Sequence, residues 1–326
     1  MIYIFGQFVL FAHLQIENRY ISKIDVLLQR IKIMFERTED AKRQILRDKH
    51  TLLEGYVTEY LFEHQFLIEK EKSYTNGWWS ALRGKKRFFF LVKEKMNDLD
   101  QKVFDLLNSR YSCWRAYPEK EKWFLSDGRN KMSEKEFLTR YNLQAVHNQL
   151  SATSEIRDTN RQNQCIEFFE NHQIMTKIAV ERNFADDFLT VYFNSPVNMD
   201  YITRNANGDL CVMEIKFKYE NKEGYFGINA GQTMMFEELE KLGFEIHHMI
   251  LYNHTKDKDL SIFGFLNMKT LKKYWFYSRL TDFADRKKST APVETSVDGT
   301  KRQAYYLFGM DEMSAKYSLK QQAETE

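Results

Sequence analysis

Proline and cysteine are both scarce in this sequence, and each scarcity excludes a class of protein. Only three of the 326 residues are proline, and no stretch rich in proline, glycine and serine predicts a flexible linker. The cysteines are Cys113, Cys165 and Cys211, an odd and widely spaced set that argues against a disulfide framework. We therefore expect a reducing, cytoplasmic location. No Cys-x-x-Cys pair and no histidine pair has the spacing of common zinc sites.

The chain also lacks a strong net charge and a long apolar run. The formal net charge of +2 does not indicate a nucleic-acid-binding protein by itself, although local patches can still bind phosphate. The N-terminal stretch MIYIFGQFVLFAHL is apolar for about 14 residues, whereas a membrane span needs about 20. It also lacks the basic start and small-residue cleavage site of a signal peptide. We expect a buried strand or helix, with an interfacial anchor as the alternative, and no membrane partner.

The sequence contains enough apolar residues for a packed core, since 43% of its residues are apolar and 15% are aromatic. The length favours two parts. Residues 1–150 are predicted to form a mostly α-helical N-terminal domain that supplies recognition, a protein-partner or homo-oligomer contact, or regulation. The apolar residues that recur there at helical spacing are Ile21, Ile24, Leu28, Ile31, Phe35, Leu52, Leu53, Tyr56, Tyr60 and Phe66.

Acidic residues also recur in this N-terminal part. Glu54, Glu59 and Glu63 are one candidate set of metal ligands. Because charges fill the faces opposite the apolar residues, we favour a solvated helix face for them. Residues 93–150 are predicted to be helical as well, with breaks at Tyr117-Pro118 and Asp127-Gly128.

Two stretches interleave basic and aromatic residues, a pattern typical of nucleic-acid surfaces, where cations neutralise phosphates and rings stack on bases. The first stretch, residues 73–92, includes Trp78 and Trp79 and ends in an apolar run with three phenylalanines; the second is residues 268–290. The candidate nucleic-acid-binding residues are Arg83, Lys85, Lys86, Lys272, Lys273 and Lys287. The alternatives are a basic turn before a buried strand in the first stretch and a solvated helix packed on a sheet in the second.

Residues 151–326 predict an α/β domain. A helix is expected from about Ser154 to Asn171, followed by further strands and a helix near residue 232. The predicted strands outside the central hairpin are Ile174–Val180, Phe188–Phe193, Glu245–Tyr252, Leu260–Leu266 and Arg302–Phe308.

A β-hairpin carries the charged residues that need most explanation. Two apolar runs, VNMDYITR and LCVMEIKFK, flank an Asn-Gly-Asp turn at residues 207–209. Because side chains alternate along a strand, Glu214 and Lys216 share a face, and Leu210 and Val212 lie on it too. Charges on an apolar face are costly unless they are paired, bind a metal or line a cleft. The position of Asp200 depends on the register of the hairpin.

An amide on the following helix indicates the same site. Ile228, Met235, Leu239 and Leu242 fall on one helix face, and Gln232 lies on that face with them. A buried amide normally has a hydrogen-bond partner. We therefore expect a polar group beneath this helix.

Together these residues resemble the PD-(D/E)xK, or restriction-endonuclease-like, nucleases. Asp200 matches the first acid of that family, Glu214-Ile215-Lys216 matches its (D/E)xK element, and Gln232 to Phe236 is similar to the Q-x-x-x-Y motif of its RecB-like branch. The resemblance covers about residues 155–266 and implies a mixed-sheet core flanked by helices, preceded by the helical N-terminal domain. Met199 stands where the family has proline, and Phe236 stands where the branch has tyrosine.

The resemblance implies roles for these residues. Asp200, Glu214 and the backbone carbonyl of Ile215 would bind Mg²⁺, or Mn²⁺ in its place. Lys216 would position or deprotonate the attacking water, and Gln232 would orient groups near the metal. Many members carry a glutamate on the first core helix, for which Glu167 and Glu170 are the candidates here.

The resulting hypothesis is a cytoplasmic Mg²⁺-dependent endo- or exonuclease that cleaves DNA rather than RNA and acts in host defence or a mobile element. The alternative is a non-catalytic nucleic-acid-binding or assembly protein built on the same fold.

Overall fold

The computed structural model describes residues 39–68, 72–119, 122–146, 158–257, 259–266, 271–281, 283, 292–294 and 301–315. The helices are α1 (His50–Phe62), α2 (Asp98–Asn108), α3 (Glu134–Arg140), α4 (Thr159–Asn171), α5 (Met175–Asn183), α6 (Thr190–Tyr192), α7 (Ala230–Glu240) and α8 (Ile262–Leu266). Residues 39–45 are also helical, Glu63–Ile68 and Phe184–Leu189 are π-helical, and Leu271–Tyr274 and Met310–Glu312 are 3₁₀ turns.

The strands form three sheets. They are β1 (Tyr74–Thr75), β2 (Trp78–Arg83), β3 (Lys86–Val92), β4 (Ser112–Glu119), β5 (Lys122–Ser126), β6 (Lys131–Ser133), β7 (Asn194–Met199), β8 (Tyr201–Arg204), β9 (Leu210–Lys218), β10 (Tyr225–Asn229), β11 (Glu245–Tyr252), β12 (Trp275–Leu280), β13 (Pro292–Glu294), β14 (Lys301–Gly309) and β15 (Ser314–Ala315). Among the described residues, no helix is long and apolar enough to cross a membrane.

The first sheet has the strand order β1-β8-β9-β11-β12-β15 and carries the predicted motif. β8 and β9 form the predicted hairpin, and its turn residue Gly208 has φ +86°, a left-handed conformation that glycine adopts without steric cost. β9 runs parallel to β11, and β10 and α7 form the crossover between them. The mixed α/β class and the limits predicted for β11 are therefore confirmed.

The chain passes between the first sheet and the second sheet, β6-β5-β4-β3-β2-β7, at two places among the described residues: from β1 to β2 through residues 76–77, and from β7 to β8. β7 pairs with β2 in the second sheet, whereas β8 pairs with β9 in the first. Asp200 lies between the end of β7 and the start of β8. The apolar run around Asp200 is therefore two strands of two different sheets. β10, β14 and β13 form the third sheet.

Alternation along β9 divides the interior of the first sheet into two clusters. Leu210 and Val212 pack with residues of α7, including Met235 and Leu239. On the opposite face of β9 lie Cys211, Met213 and Ile215, which pack with side chains of α1, α4 and α5. A third cluster, centred on Phe90, fills the space between the second sheet and the helical segments α3, α5 and Phe184–Leu189. The face shared by Glu214 and Lys216 is thus the face that α7 covers.

The described residues before position 150 do not form the separate, mostly helical domain that the sequence predicts. Strands β1–β6 occupy much of residues 74–133, and β1 and β2 pair with β8 and β7, which lie beyond residue 150. The physical reason is the apolar run in β3. It forms a central strand that is buried on both faces and pairs with β2 along one edge and β4 along the other. The N-terminal apolar stretch and the run of residues 21–35 lie outside the described residues.

Three short apolar segments predicted as strands are helical. Residues 174–180 and 188–193 lie mainly in α5 and in the π-helical segment that continues into α6, and residues 260–266 include α8. Short apolar runs do not distinguish a strand from a buried helix, so packing decides between them. Phe184 and Phe188, four residues apart, both stack into the cluster around Phe90. The helix limit at Asn171 and the strand over 302–308 are confirmed.

The third cluster should depend strongly on Phe90. This side chain is fully buried and its ring lies against Phe137, Phe184, Phe188 and Phe193. We expect Phe90→Ala to lower the free energy of unfolding by about 3–5 kcal/mol, because the substitution leaves a cavity among rings. Chemical denaturation would measure the change.

The matched control for this variant is Met234→Ala, because the Met234 side chain is 46% exposed. Its free energy of unfolding should change by less than about 0.5 kcal/mol. Equal effects in the two variants would contradict the packing described for Phe90.

Candidate active site

Three elements bring the predicted catalytic residues together. β9 carries Glu214 and Lys216, the β7–β8 junction carries Asp200, and the first turn of α7 carries Gln232. Asn229 caps α7 by accepting a hydrogen bond from the Gln232 amide at 2.9 Å, and its own side chain donates to Gln232 Oε1 at 2.8 Å. The cap therefore holds the Gln232 side chain with its Nε2 group directed to Glu214.

One lysine contacts both carboxylates. Lys216 Nζ lies 2.6 Å from Glu214 Oε1 and 3.5 Å from Asp200 Oδ2. Asp200 and Glu214 are 3% and 1% exposed, whereas Lys216 is half-buried. Although burial by itself lowers the pKa of Lys216, the charges of Asp200 and Glu214 raise that pKa above its ordinary value. Lys216 is therefore a cation in this arrangement.

Asp200 is held by backbone and side-chain donors. Its Oδ2 accepts a 2.6 Å hydrogen bond from the Ile215 amide, and its Oδ1 accepts one from Asn198 Nδ2 at 3.0 Å. Burial, with the charge of Glu214, raises the pKa of Asp200 to about 7, against the opposing effects of Lys216 and the Ile215 amide. Ionisation of Asp200 beside Glu214 is therefore costly, even with Lys216 as the nearest cation.

Glu214 offers an unused oxygen at this site. Its Oε1 pairs with Lys216 Nζ and accepts a hydrogen bond from Gln232 Nε2. Its buried Oε2 has no hydrogen-bond partner among the residues that the structure describes. Buried carboxylate oxygens are normally satisfied, so the orphan oxygen indicates a ligand. Carboxylate and carbonyl oxygens are the donors that Mg²⁺ and Mn²⁺ prefer. The donor set of Asp200, Glu214 and the Ile215 carbonyl therefore fits a hard divalent cation.

The two glutamates predicted on the first core helix do not line the cleft beside Asp200. Glu167 and Glu170 are exposed on α4, and Glu170 pairs with Lys42. Glu59 of α1 instead lines the same cleft as Asp200. Burial and the charge of Asp200 raise the pKa of Glu59 well above its ordinary value. Glu59 rather than Glu167 therefore lies beside Asp200, because α1 packs on β9 and α4 packs on α1.

The interpretation of Glu54, Glu59 and Glu63 as a solvated helix face is wrong in the folded chain. Glu54 is buried and accepts both Nε and Nη2 of Arg161, and Glu63 accepts the Tyr201 hydroxyl at 3.1 Å. Glu59 is half-buried beside the cleft. All three are therefore used in packing contacts or near the candidate site.

The cleft beside Asp200 has an acidic wall. It lies open to solvent between α1, α5, β2 and the β7–β8 junction. Glu59, Glu63 and Glu181 line it together with Trp79 and one cation, Lys177. Burial raises the pKa of Glu181 as it does that of Glu59. A phosphate would meet acids on this side and Lys216 on the β9 side.

Two residues near Glu214 were missing from the sequence-based site. His248 lies opposite Glu214 on β11, and its Nδ1 is 2.9 Å from the Glu214 carbonyl oxygen. Burial, with the charge of Lys218, lowers the pKa of His248 well below its ordinary value, so the imidazole is neutral. The parallel pairing of β9 and β11, which places His248 there, has no signature in sequence spacing.

Lys218 follows Lys216 on the same face of β9 and could have been found from that alternation. Its Nζ donates to the Gly227 carbonyl at 3.2 Å and lies near the rings of Phe226 and Phe308. Burial, with the charge of Lys216, lowers the pKa of Lys218 to about 7. Near neutral pH, Lys218 can therefore gain or lose its charge.

The first basic-aromatic stretch is mainly a core element. Trp78, Trp79 and the three phenylalanines 88–90 are buried, so their rings are not available for stacking on bases. Lys85 and Lys86 are exposed at the β2–β3 turn, and Arg83 donates to the Tyr192 carbonyl at 3.2 Å. Trp78 pairs with Met199, so this turn is at the far end of β2 from Asp200, about 20 Å away by strand rise.

Of the candidate nucleic-acid-binding residues in the second stretch, only Lys273 has a described side chain. Lys273 is exposed just before β12, whose first residue Trp275 pairs with Leu251 near the end of β11. Trp275 is buried and donates to Gln65. The segment is a strand rather than the helix considered as its alternative. Lys287 and the side chain of Lys272 lie outside the described residues.

Comparisons with known proteins add no assignment. A scan against protein-family models, a search of curated proteins and a search of solved structures each found no match to this chain. The nuclease resemblance therefore rests on the motif residues and their geometry.

The raised pKa of Asp200 predicts a pH-dependent stability in EDTA. The unfolded carboxyl has a pKa of about 3.9, and the folded one has a pKa of about 7. Between these values the folded state holds a proton that the unfolded state has lost, so stability should fall as pH rises from 4 to 7. We expect Asp200→Asn to reduce this fall in Tm, measured by thermal unfolding across that range.

Asp259→Asn is the matched control, because Asp259 is exposed and outside the site. Its Tm should follow the pH profile of the wild-type protein. An unchanged profile in Asp200→Asn would contradict the unfavourable ionisation of Asp200.

Proposed function

We propose that this protein is a metal-dependent nuclease that hydrolyses phosphodiester bonds. The observation that carries the proposal is the arrangement of Asp200 and Glu214. These two buried carboxylates contact one lysine nitrogen, and one oxygen of Glu214 has no hydrogen-bond partner among the residues described by the structure. An ordinary surface salt bridge would not need to bury both acids. Acids with strongly perturbed pKa values beside a cleft favour a functional site over a purely structural one.

Mg²⁺ or Mn²⁺ would be held by Asp200, Glu214 and the carbonyl of Ile215, with Glu59 close enough to add charge. The bound ion would supply a water of lowered pKa and positive charge beside the phosphate. Hydrogen bonds orient both carboxylates for this role. The Ile215 amide and Asn198 Nδ2 donate to Asp200, and Gln232 Nε2 donates to Glu214.

Lys216 would place its ammonium group against the phosphate and the attacking water. In the present arrangement its Nζ lies on both carboxylates, so it offsets their repulsion. If a divalent ion supplied that positive charge, Lys216 would be available to contact a phosphate oxygen. It would then stabilise the charge that develops in the transition state.

The charge distribution favours one direction of substrate approach. Glu59, Glu63 and Glu181 line the cleft on one side of Asp200, whereas Lys216 and Lys218 follow one another on β9. Side chains two apart on a strand are separated by about 7 Å, comparable with neighbouring phosphates of one strand. We place the scissile phosphate at Lys216 and the adjacent phosphate at Lys218.

DNA is the proposed substrate, and host defence or a mobile element the proposed setting, by analogy with the resembling nucleases. A cytoplasmic location agrees with the three cysteines, all of which are free and buried. The alternative, a nucleic-acid-binding protein without catalysis, makes the same phosphate contacts but needs no metal.

Cleavage assays test the catalytic role of Lys216. Purified protein should cleave plasmid DNA, with RNA as the comparison substrate, in Mg²⁺ or Mn²⁺ and not in EDTA. We expect Lys216→Met to reduce the rate by about 10²–10⁴-fold, the range typical of a lost acid–base or charge-stabilising group. Single-turnover rates with end-labelled and circular substrates would measure it and distinguish endo- from exonuclease action.

Lys241→Met is the control, because Lys241 is an exposed lysine that pairs with Glu237 on α7. It should retain the wild-type rate. Metal-dependent cleavage that persists in Lys216→Met would overturn the assignment. Strong, salt-dependent binding with no cleavage in any metal would favour the non-catalytic alternative.

Binding measurements in EDTA test the role of Lys218. A lysine that contacts phosphate contributes to the salt dependence of binding, so Lys218→Met should reduce the slope of log K against log salt by about 1. The pKa of about 7 means that Lys218 is cationic below that pH and neutral above it. Wild-type affinity should therefore fall as pH rises from 6 to 8, and this fall should be smaller in Lys218→Met.

Lys222→Met provides the control for this measurement, since Lys222 is an exposed lysine in the loop between β9 and β10. It should retain the pH dependence of the wild-type protein. Equal salt slopes in wild type and Lys218→Met would show that Lys218 makes no phosphate contact.

A further inference from the structure

A second group of ligand-type side chains lies on the other face of the first sheet. Cys211 on β9 is paired with Glu245 on β11 by the parallel register, and His247 follows Glu245 on the same face. Glu245 Oε2 lies 3.5 Å from Cys211 Sγ and 3.0 Å from His247 Nε2. All three candidate ligand atoms lie within 4.8 Å of one another.

These separations are close to those of a tetrahedral zinc site. Zinc is bound at about 2.0–2.3 Å by imidazole nitrogen, carboxylate oxygen and thiolate sulfur, which places neighbouring ligand atoms about 3.3–3.8 Å apart. The two separations to Glu245, 3.0 and 3.5 Å, differ from these values by no more than a few tenths of an ångström, and Cys211 Sγ lies within 4.8 Å of His247 Nε2. We propose that Cys211, Glu245 and His247 form a site for a borderline-soft divalent metal, Zn²⁺, with the fourth position open to water.

The donor set distinguishes this site from the proposed catalytic one. Thiolate and imidazole ligands favour Zn²⁺, whereas the all-oxygen set at Asp200 and Glu214 favours Mg²⁺ or Mn²⁺. Cys211 is on the face of β9 opposite that of Glu214, in a different core cluster. The zinc site therefore does not depend on the proposed nuclease activity, and either can fail without the other.

Metal binding would exchange protons for the ion. Burial, with the charge of Glu245, raises the pKa of the Cys211 thiol to about 12, so without metal the thiol is neutral and directs a weak hydrogen bond to Glu245. Zn²⁺ would form a bond to the sulfur and release the thiol proton to solvent. His247 would bind through Nε2 as a neutral imidazole with its proton on Nδ1.

Glu245 already has one cationic partner, and this partner is compatible with the site. Arg279 Nη2 lies 2.9 Å from Glu245 Oε1, the oxygen other than the one shared by Cys211 and His247. The Arg279 side chain is 58% exposed. It can therefore hold the carboxylate in orientation as an outer hydrogen-bond donor, a role often found around metal ligands.

Cobalt substitution tests the site directly, because Co²⁺ bound to thiolate gives sulfur-to-metal charge-transfer absorption. Full-length reduced protein should show this band with one equivalent of Co²⁺, and Zn²⁺ but not excess Mg²⁺ should remove it. Cys211→Ser should abolish the band and lower Zn²⁺ affinity by at least about 100-fold, beyond the roughly 10–100-fold effect of an outer hydrogen-bond partner.

Cys165→Ser and Cys113→Ser are the matched controls, since both residues are free, buried cysteines outside the cluster. They should keep the band. If Cys211→Ser does not fold, His247→Gln should still show weakened Zn²⁺ binding in a chelator competition. Absence of the band in wild type, or its persistence in Cys211→Ser, would overturn the proposal. Wild-type Zn²⁺ affinity in His247→Gln would overturn it as well.

Discussion

The burial of Asp200 and Glu214 against a single lysine is the interaction on which this structure depends most. Removing an ion from water costs several kcal/mol, and Lys216 provides one positive charge for two acids. Burial, with the charge of Glu214, raises the pKa of Asp200, and Glu214 Oε2 has no hydrogen-bond partner within the described part of the chain. A divalent cation is the simplest group that would relieve both, whereas a second protein cation would leave no room for chemistry.

The backbone makes this costly arrangement possible. Asp200 is the one residue between a strand of the second sheet and a strand of the first, so its side chain is held where the two sheets meet. The Ile215 amide donates to Asp200 rather than leaving an ionised oxygen in an apolar interior. β2, α1 and α5 line the cleft beside this junction. Asn76 and Gly77, where the chain passes from β1 of the first sheet to β2 of the second, line it too, so both changes of sheet border the cleft.

Parts of the site that depend on local geometry could be predicted from the sequence. Glu214 and Lys216 share a face because strand side chains alternate, and the amide of Gln232 indicated a polar partner beneath α7, which is Glu214. Glu59 could not be found in this way, because α1 is about 140 residues from Asp200 in sequence and reaches the cleft only through tertiary packing. Cys211 and Glu245 are likewise brought together by the β9–β11 register, with no spacing motif. The strands predicted over 174–180 and 188–193 were wrong because tertiary packing, which local sequence does not show, favoured helices: the first segment packs in the cluster with α1 and the second in the aromatic cluster around Phe90.

The contrast between Lys216 and Lys218 bears on how a nuclease on this framework would respond to its substrate. Lys216 is kept charged by two carboxylates. Lys218 instead lies beside the stacked rings of Phe226 and Phe308, and burial, with the charge of Lys216, lowers its pKa to about 7. An arriving phosphate favours the charged form of Lys218, so binding would recruit a proton to that side chain. His248 remains neutral throughout, because burial and Lys218 both oppose its protonation. Substrate binding would therefore itself promote protonation of Lys218, the cation that contacts the second phosphate. This would favour extended nucleic acid over a single phosphate ester.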